Sequence, residues 1–235
     1  MGTPNYTCEI VCLASSRRWS GLCVAGKMVD GPQKGRWIRP VSARPTGELS
    51  EKERRTKDGA DPALFDVISI PMASSSRHAF QTENHRIDER FHWTRTRRAG
   101  LTDVLSLVDD VRGALWDNAS SSIGGLHDRV DEQRAPALVA RFGGSLCFIR
   151  VSDLTISVSV EGADFDARRK VRGEFNYAAQ RYRLATTDPQ IERLYLARPD
   201  GRYPIGDALL CISLGDAYNG YAYKLIAAIF RPPPR

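Results

Sequence analysis

The sequence has no apolar run near the roughly 18 to 20 residues of a membrane-spanning helix, which argues against a helical membrane protein. Its start is polar through Thr7 and the apolar run that follows is short, unlike a secretory leader, so the chain is expected in the cytoplasm. Cysteines are few and odd in number: Cys8, Cys12, Cys23, Cys147 and Cys211 show neither C-x-x-C spacing nor a disulfide framework. They read as small buried apolar residues, with Cys8 and Cys12 an even step apart on one strand face. Histidine is scarcer still. His78, His85 and His92 recur every seven residues without a cysteine or acidic partner pattern, so no metal site is expected. Walker loop, G-x-S-x-G elbow and H-E-x-x-H motif are all missing, which leaves catalytic residues unassigned and no cofactor expected.

What is present is arginine. The chain carries a net charge of +6, and basic clusters recur at Arg17-Arg18, Arg54-Arg55, 95–98, 168–172 and Arg181-Arg183. Arginine suits bidentate contact with phosphate, although high-GC codon usage also enriches it. The densest segment is Gly35 through Pro45, which sets Arg36, Trp37 and Arg39 on a strand closed by two prolines. Alternation puts Trp37, Arg39, Val41 and Ala43 on one face and Arg36, Ile38, Ser42 and Arg44 on the other. An arginine interrupts each apolar set. Such a strand reads equally as a surface for polyanions or as a core tryptophan beside an arginine paired to a carboxylate.

Elsewhere, residues 8–14, 22–29 and 65–72 read as strands, and 77–100 as a long surface segment with little regular structure. Residues 101–116 carry helical spacing at Val104, Leu107, Val108, Val111 and Leu115, with Thr102 or Asp103 as cap. In the second half, 154–161 alternates strictly, and 171–177 and 181–184 alternate with arginines outward. Thr187-Asp188-Pro189 opens a short helix, and 209–214 pairs with 221–230 through a turn at Asn219-Gly220. The tail 231–235 is expected to be exposed. The fold class is therefore mainly β with minor α: two small barrels or sandwiches, or one larger sandwich. The expected boundaries are 1–100, a connecting helix and loop at 101–135, and 136–235.

Blocks spread over nearly the whole chain resemble a bacterial family known as the dual OB-containing domain. They are 10–15, Arg36 through Ser42, 81–84, 128–130, 182–189, 211–215 and 223–227. The resemblance implies two OB-like β-barrels joined by a helix and a nucleic-acid-binding role in genome defence or repair. It carries over no catalytic residues.

A single-strand binder needs flat side chains for stacking and cations along the phosphate path. Arg36, Trp37, Arg39 and Asn84 are the candidates in the first half, with Arg172, Arg181, Arg183 and Lys224 in the second. Phe175, Tyr177 and Tyr182 read as core, with the arginines on an exposed basic face. Lys224 reads as an edge lysine that blocks strand pairing, with phosphate contact as the other reading. Two further functions stay open: an enzyme or sensor acting on a nucleotide or modified base, in an inter-barrel pocket of Arg39, Glu83, Asn84 and Asp128; and an adaptor docking onto an ATPase or nuclease.

Overall fold

The computed structural model describes residues 3–117, 119–162 and 166–231. The tail beyond Arg231, and Asn118 at the expected helix end, lie outside the described residues. The chain divides into two compact units, Met1–Val108 and Asp109–Arg235. Among the described residues, no helix is long and apolar enough to cross a membrane.

The first unit contains β1 (Tyr6–Arg18), β2 (Gly21–Met28), β3 (Trp37–Val41), α1 (Glu51–Arg54), β4 (Asp66–Ser75), β5 (Asn84–Ile87), β6 (Thr94–Arg98) and α2 (Leu101–Leu105). The order is β1-β2-β3-β5-β4, and β4 returns to pair with β1, closing a barrel. Its neighbours run antiparallel except β3 and β5, which are parallel. Ile10, Cys12, Ile38, Ile68, Ile70 and Trp93 fill its core. Cys8 and Cys12 share that cluster, as the even spacing required.

The second unit holds β7 (Arg129–Asp131), α3 (Ala135–Phe142), β8 (Leu146–Glu161), β9 (Arg168–Tyr177), β10 (Gln180–Thr186), α4 (Pro189–Leu196), β11 (Gly201–Tyr218) and β12 (Tyr221–Phe230). The order repeats as β8-β9-β10-β12-β11, with β11 back on β8 and the parallel contact now between β10 and β12. Asp188 caps α4, accepting from the Gln190 and Ile191 amides. These two closed sheets are the two OB-like barrels.

Two expectations are corrected. The helix at 101–116 ends at Leu105. Beyond it, Asp109 exchanges hydrogen bonds with Phe148 on β8. The Val111 carbonyl accepts from the Tyr177 hydroxyl, and the Leu115 amide donates to the Tyr182 hydroxyl. Tertiary partners thus hold this stretch in turns and irregular backbone against its helical periodicity. The segment 77–100 also contains regular structure, β5 and β6. β6 reads Thr-Arg-Thr-Arg-Arg and pairs with the edge of β4 through main-chain bonds, so it lacks the apolar alternation that marks a strand.

Candidate functional site

β9 and β10 lie antiparallel, with Tyr182 opposite Phe175 and Leu184 opposite Gly173. Tyr182 and Phe175 stack at 5.4 Å in the core. Alternation then sends Arg172, Glu174, Arg181 and Arg183 to the outer face. These form an ion-pair network rather than a bare basic patch. Glu174 meets Arg181 at 3.0 Å, Arg183 at 3.4 Å and Arg202 at 2.8 Å. Glu161 takes the Arg172 fork at 2.7 and 2.8 Å, with Arg183 at 3.5 Å. Burial alone would raise both carboxyls. Hydrogen bonds and charge from these arginines outweigh it and hold Glu161 and Glu174 below the usual carboxylate range.

β10 and β12 pair through a short parallel register, Ala185–Leu225 and Thr186–Ile226. Residues 122–131 run along the opening beside that contact: Leu126 pairs with Arg183 on β10, and β7 pairs with β12. Asp128 fixes this segment by accepting from the Ser122 amide at 2.7 Å and hydroxyl at 2.5 Å. Gly125 must be glycine here, since a Cβ would sit 1.8 Å from an Asp128 carboxylate oxygen.

A cavity of about 920 Å³ opens between this segment and the ends of β8, β9, β10, β11 and β12. Among the described residues its lining carries five basic side chains (Arg129, Lys170, Arg172, Arg183, Lys224) and two carboxylates (Asp128, Glu161). Three large apolar or aromatic residues of the lining are solvent-facing: Ile123, Val160 and Tyr218, the last 65 % exposed. A second concavity of about 430 Å³ adjoins it, sharing Ser159 and Arg183 and including Ser157, Arg181 and Arg202.

Lys224 sits on β12 with 2 % exposure, its ammonium 5.5 Å from the Tyr182 ring centroid. Burial pulls it down to about 8, against the opposing influence of Asp117, Asp128 and Cys147. It is not an edge lysine, because β12 has partners on both sides.

The residues expected at a contact face fall into distinct places. Arg181 is exposed and Arg183 half-buried on the outer face of the second barrel. Arg172 and Lys224 are buried within the same cavity's wall, which corrects the expectation of an exposed basic face for Arg172. In the first barrel, Arg36 is exposed and Trp37 half-buried under the Lys27 ammonium, 5.2 Å from its ring centroid. Lys27 itself donates to the Leu107 carbonyl at 2.7 Å. Arg39 is 1 % exposed, ion-paired to Glu83 at 3.2 Å and bonded to Asn84 at 3.2 Å, with Gln81 accepting from Asn84. Of the two readings left open for that strand, the arginine half of the second is observed: Arg39 is interior and paired, whereas Trp37 is half-buried and not a core residue. Arg39 and Asn84 therefore present no surface for contact. Of the four residues named for an inter-barrel pocket, Arg39, Glu83 and Asn84 bind one another in the first unit, and Asp128 in the second is held by Ser122 and Arg172. Among the described residues no cluster of three His, Cys, Asp or Glu could hold a metal ion.

Sequence reasoning passed over Tyr218 and Ile123, counted Lys170 only within a basic cluster, and gave Val160 no role beyond its strand. Tyr218 had a legible signal, since it immediately precedes the Asn219-Gly220 turn, which places it at a hairpin tip. A fifth residue, Trp19, is 69 % exposed at the β1–β2 tip beside Arg17 and Arg18.

A family model described as the dual OB-containing domain matches residues 8–229. No curated protein and no solved structure matches the chain.

Proposed function

The chain belongs to the dual OB-containing domain family, and from that premise we propose that it binds nucleic acid, as an open single strand, along the outer face of its second barrel. The observation that carries this reading is the 920 Å³ cavity, where an excess of basic side chains meets the solvent-facing Tyr218, Val160 and Ile123. OB barrels commonly bind oligonucleotides across this strand face and its bordering loops. Cations along a phosphate path together with flat or apolar platforms are what sequence-tolerant single-strand binding needs. In a duplex the faces of the bases are stacked on one another, so Tyr218 would find no partner there. The adjoining concavity with Arg181 and Arg202 extends the path. In the first barrel, burial and then the charges of Arg36 and Arg77 hold the His85 imidazole below its ordinary value.

A second reading is a nucleotide sensor. The cavity's volume falls within the roughly 300 to 1,000 Å³ of small-ligand pockets. Competition by fluorescence anisotropy separates the two. A labelled single strand should be displaced by unlabelled single strand well before duplex, and Tyr218→Ala should weaken it. Displacement by free nucleotide alone would favour the sensor, and absence of any strand binding at low salt would overturn the proposal.

A further inference from the structure

We propose that Lys224 anchors a phosphomonoester group at the base of the second barrel's cavity, the group carried by a nucleic-acid end or by a free nucleotide. This rests on the reading of that cavity as the nucleic-acid site and specifies what its deepest cation takes hold of.

The argument begins with where the side chain lies. Lys224 is 2 % exposed, yet it belongs to the cavity lining. No side-chain hydrogen bond or ion pair joins its ammonium to a described residue; the Tyr182 ring centroid lies 5.5 Å away, and Asp117, Asp128 and Cys147 act on it through charge alone. Both nearby carboxylates of the lining are already engaged: Asp128 with Ser122 and Arg172, Glu161 with Arg172 and Arg183. An ammonium on a buried side chain, with three donors and no bonded acceptor among the described residues, is best satisfied by an acceptor entering the cavity that it lines. The cavity is the place from which an acceptor can come.

Charge selects the acceptor. Within a lining of five basic and two acidic groups, an anion is favoured over a neutral donor-acceptor group. Depth then selects the form of the anion. A phosphodiester inside a strand has sugars on both sides, and both must be accommodated before its oxygens reach a lysine this far from solvent. A phosphomonoester is substituted on one side only and presents three terminal oxygens. It also carries up to two charges near neutral pH, doubling the attraction to a cation in a poorly solvated site. The nucleoside would lie outward, toward Tyr218 and Val160 at the exposed part of the lining.

The test uses the full chain and a short oligothymidylate with a 5′-phosphate, a 3′-phosphate or hydroxyl at both ends, with thymidine 5′-monophosphate as a competitor. One phosphorylated end should bind about tenfold or more tighter than the hydroxyl-ended strand, a typical gain for a charge-assisted contact. Lys224→Met should bring that strand down to the affinity the wild type shows for the hydroxyl-ended one. Equal wild-type affinity for all three strands overturns the proposal while leaving strand binding intact, whereas no binding of any strand removes both readings. A preference that persists in folded Lys224→Met also overturns it. Displacement by thymidine 5′-monophosphate identifies a free nucleotide as a sufficient ligand; its failure, with the preference present, assigns the strand end. If Lys224→Met does not fold, the wild type decides by pH. Asp117, Asp128, Cys147 and Tyr182 face the ammonium, which titrates at about 8, so the phosphate preference should fall by about fivefold between about pH 8 and about pH 9. A preference unchanged across that range overturns the proposal.

Discussion

Replacing Lys224 by methionine should make the protein more stable, although it removes a charged side chain near the proposed site. The lysine is 2 % exposed, and burial brings it from an ordinary 10.5 to about 8. At about 1.4 kcal/mol per pK unit, that difference is a penalty of roughly 3 kcal/mol carried by the folded state at neutral pH. Methionine has a similar length and no charge, so it relieves the penalty. It also loses the contact with Tyr182, worth about 1 kcal/mol. The expected net gain is about 2 kcal/mol, in keeping with the 1 to 4 kcal/mol often found when buried ionic groups become apolar. The pH dependence supplies an independent check on the sign. Because the folded-state value lies below the unfolded one, the unfolded chain binds more protons between about pH 8 and about pH 10.5. Wild-type stability attributable to Lys224 should therefore rise through that window, and the gap to the variant should close. Urea denaturation of both proteins at neutral and alkaline pH measures this. A variant that is less stable at neutral pH, or a gap that does not change with pH, would refute the reasoning.

Four further outcomes are expected. Glu83→Ala should lower stability by about 3 to 5 kcal/mol in denaturant titrations, because it strands Arg39 in the interior without its carboxylate. Tyr218→Ala should weaken single-strand binding by about 1 to 3 kcal/mol in anisotropy titrations while leaving the thermal midpoint unchanged, since the ring is 65 % exposed. Gly125→Ala drives a Cβ to within 1.8 Å of the Asp128 carboxylate, so strand affinity should drop and stability should fall by about 1 to 3 kcal/mol. Acid titration followed by circular dichroism should show stability from Glu161 and Glu174 fully present above their unfolded value near 4.5 and lost as pH falls through their depressed folded values. Glu174→Gln should remove part of that acid-dependent loss.

Some of this was legible in the sequence for clear physical reasons. Strict alternation marked the second half of β8, alternation with arginines outward marked β9 and β10, and the Asn219-Gly220 turn appears as expected with both residues at positive φ, +50° and +78°. Asp188 before Pro189 marked the start of α4 because its carboxylate is the cap. Other features depended on partners distant in the chain. Arg39 reads identically whether it faces solvent or Glu83, and only the parallel pairing of β3 with β5 brings the two together. Lys224 looked like an edge residue because nothing local announces that β7 and β10 cover its strand. The stretch 106–116 has helical spacing, but hydrogen bonds with Tyr177 and Tyr182 fix it in another shape. The cavity is assembled from chain segments some hundred residues apart, from Ser122 to Leu225, so composition showed its charge without showing its place.

The central claim is that the second barrel grips the backbone of a single strand, and its most direct test is the salt dependence of binding to a labelled oligonucleotide. Each phosphate neutralised adds a slope of about −0.7 to log K against log salt for single strands. Contacts from Lys170, Arg129, Arg181 and Arg183 predict a slope of about −2 to −3, reduced by about one half when Lys170 and Arg183 are both changed to glutamine. Saturable binding with that slope, and its reduction in the double variant, is the result this account requires. Binding that is insensitive to salt, or a slope that the double variant leaves unchanged, would contradict it.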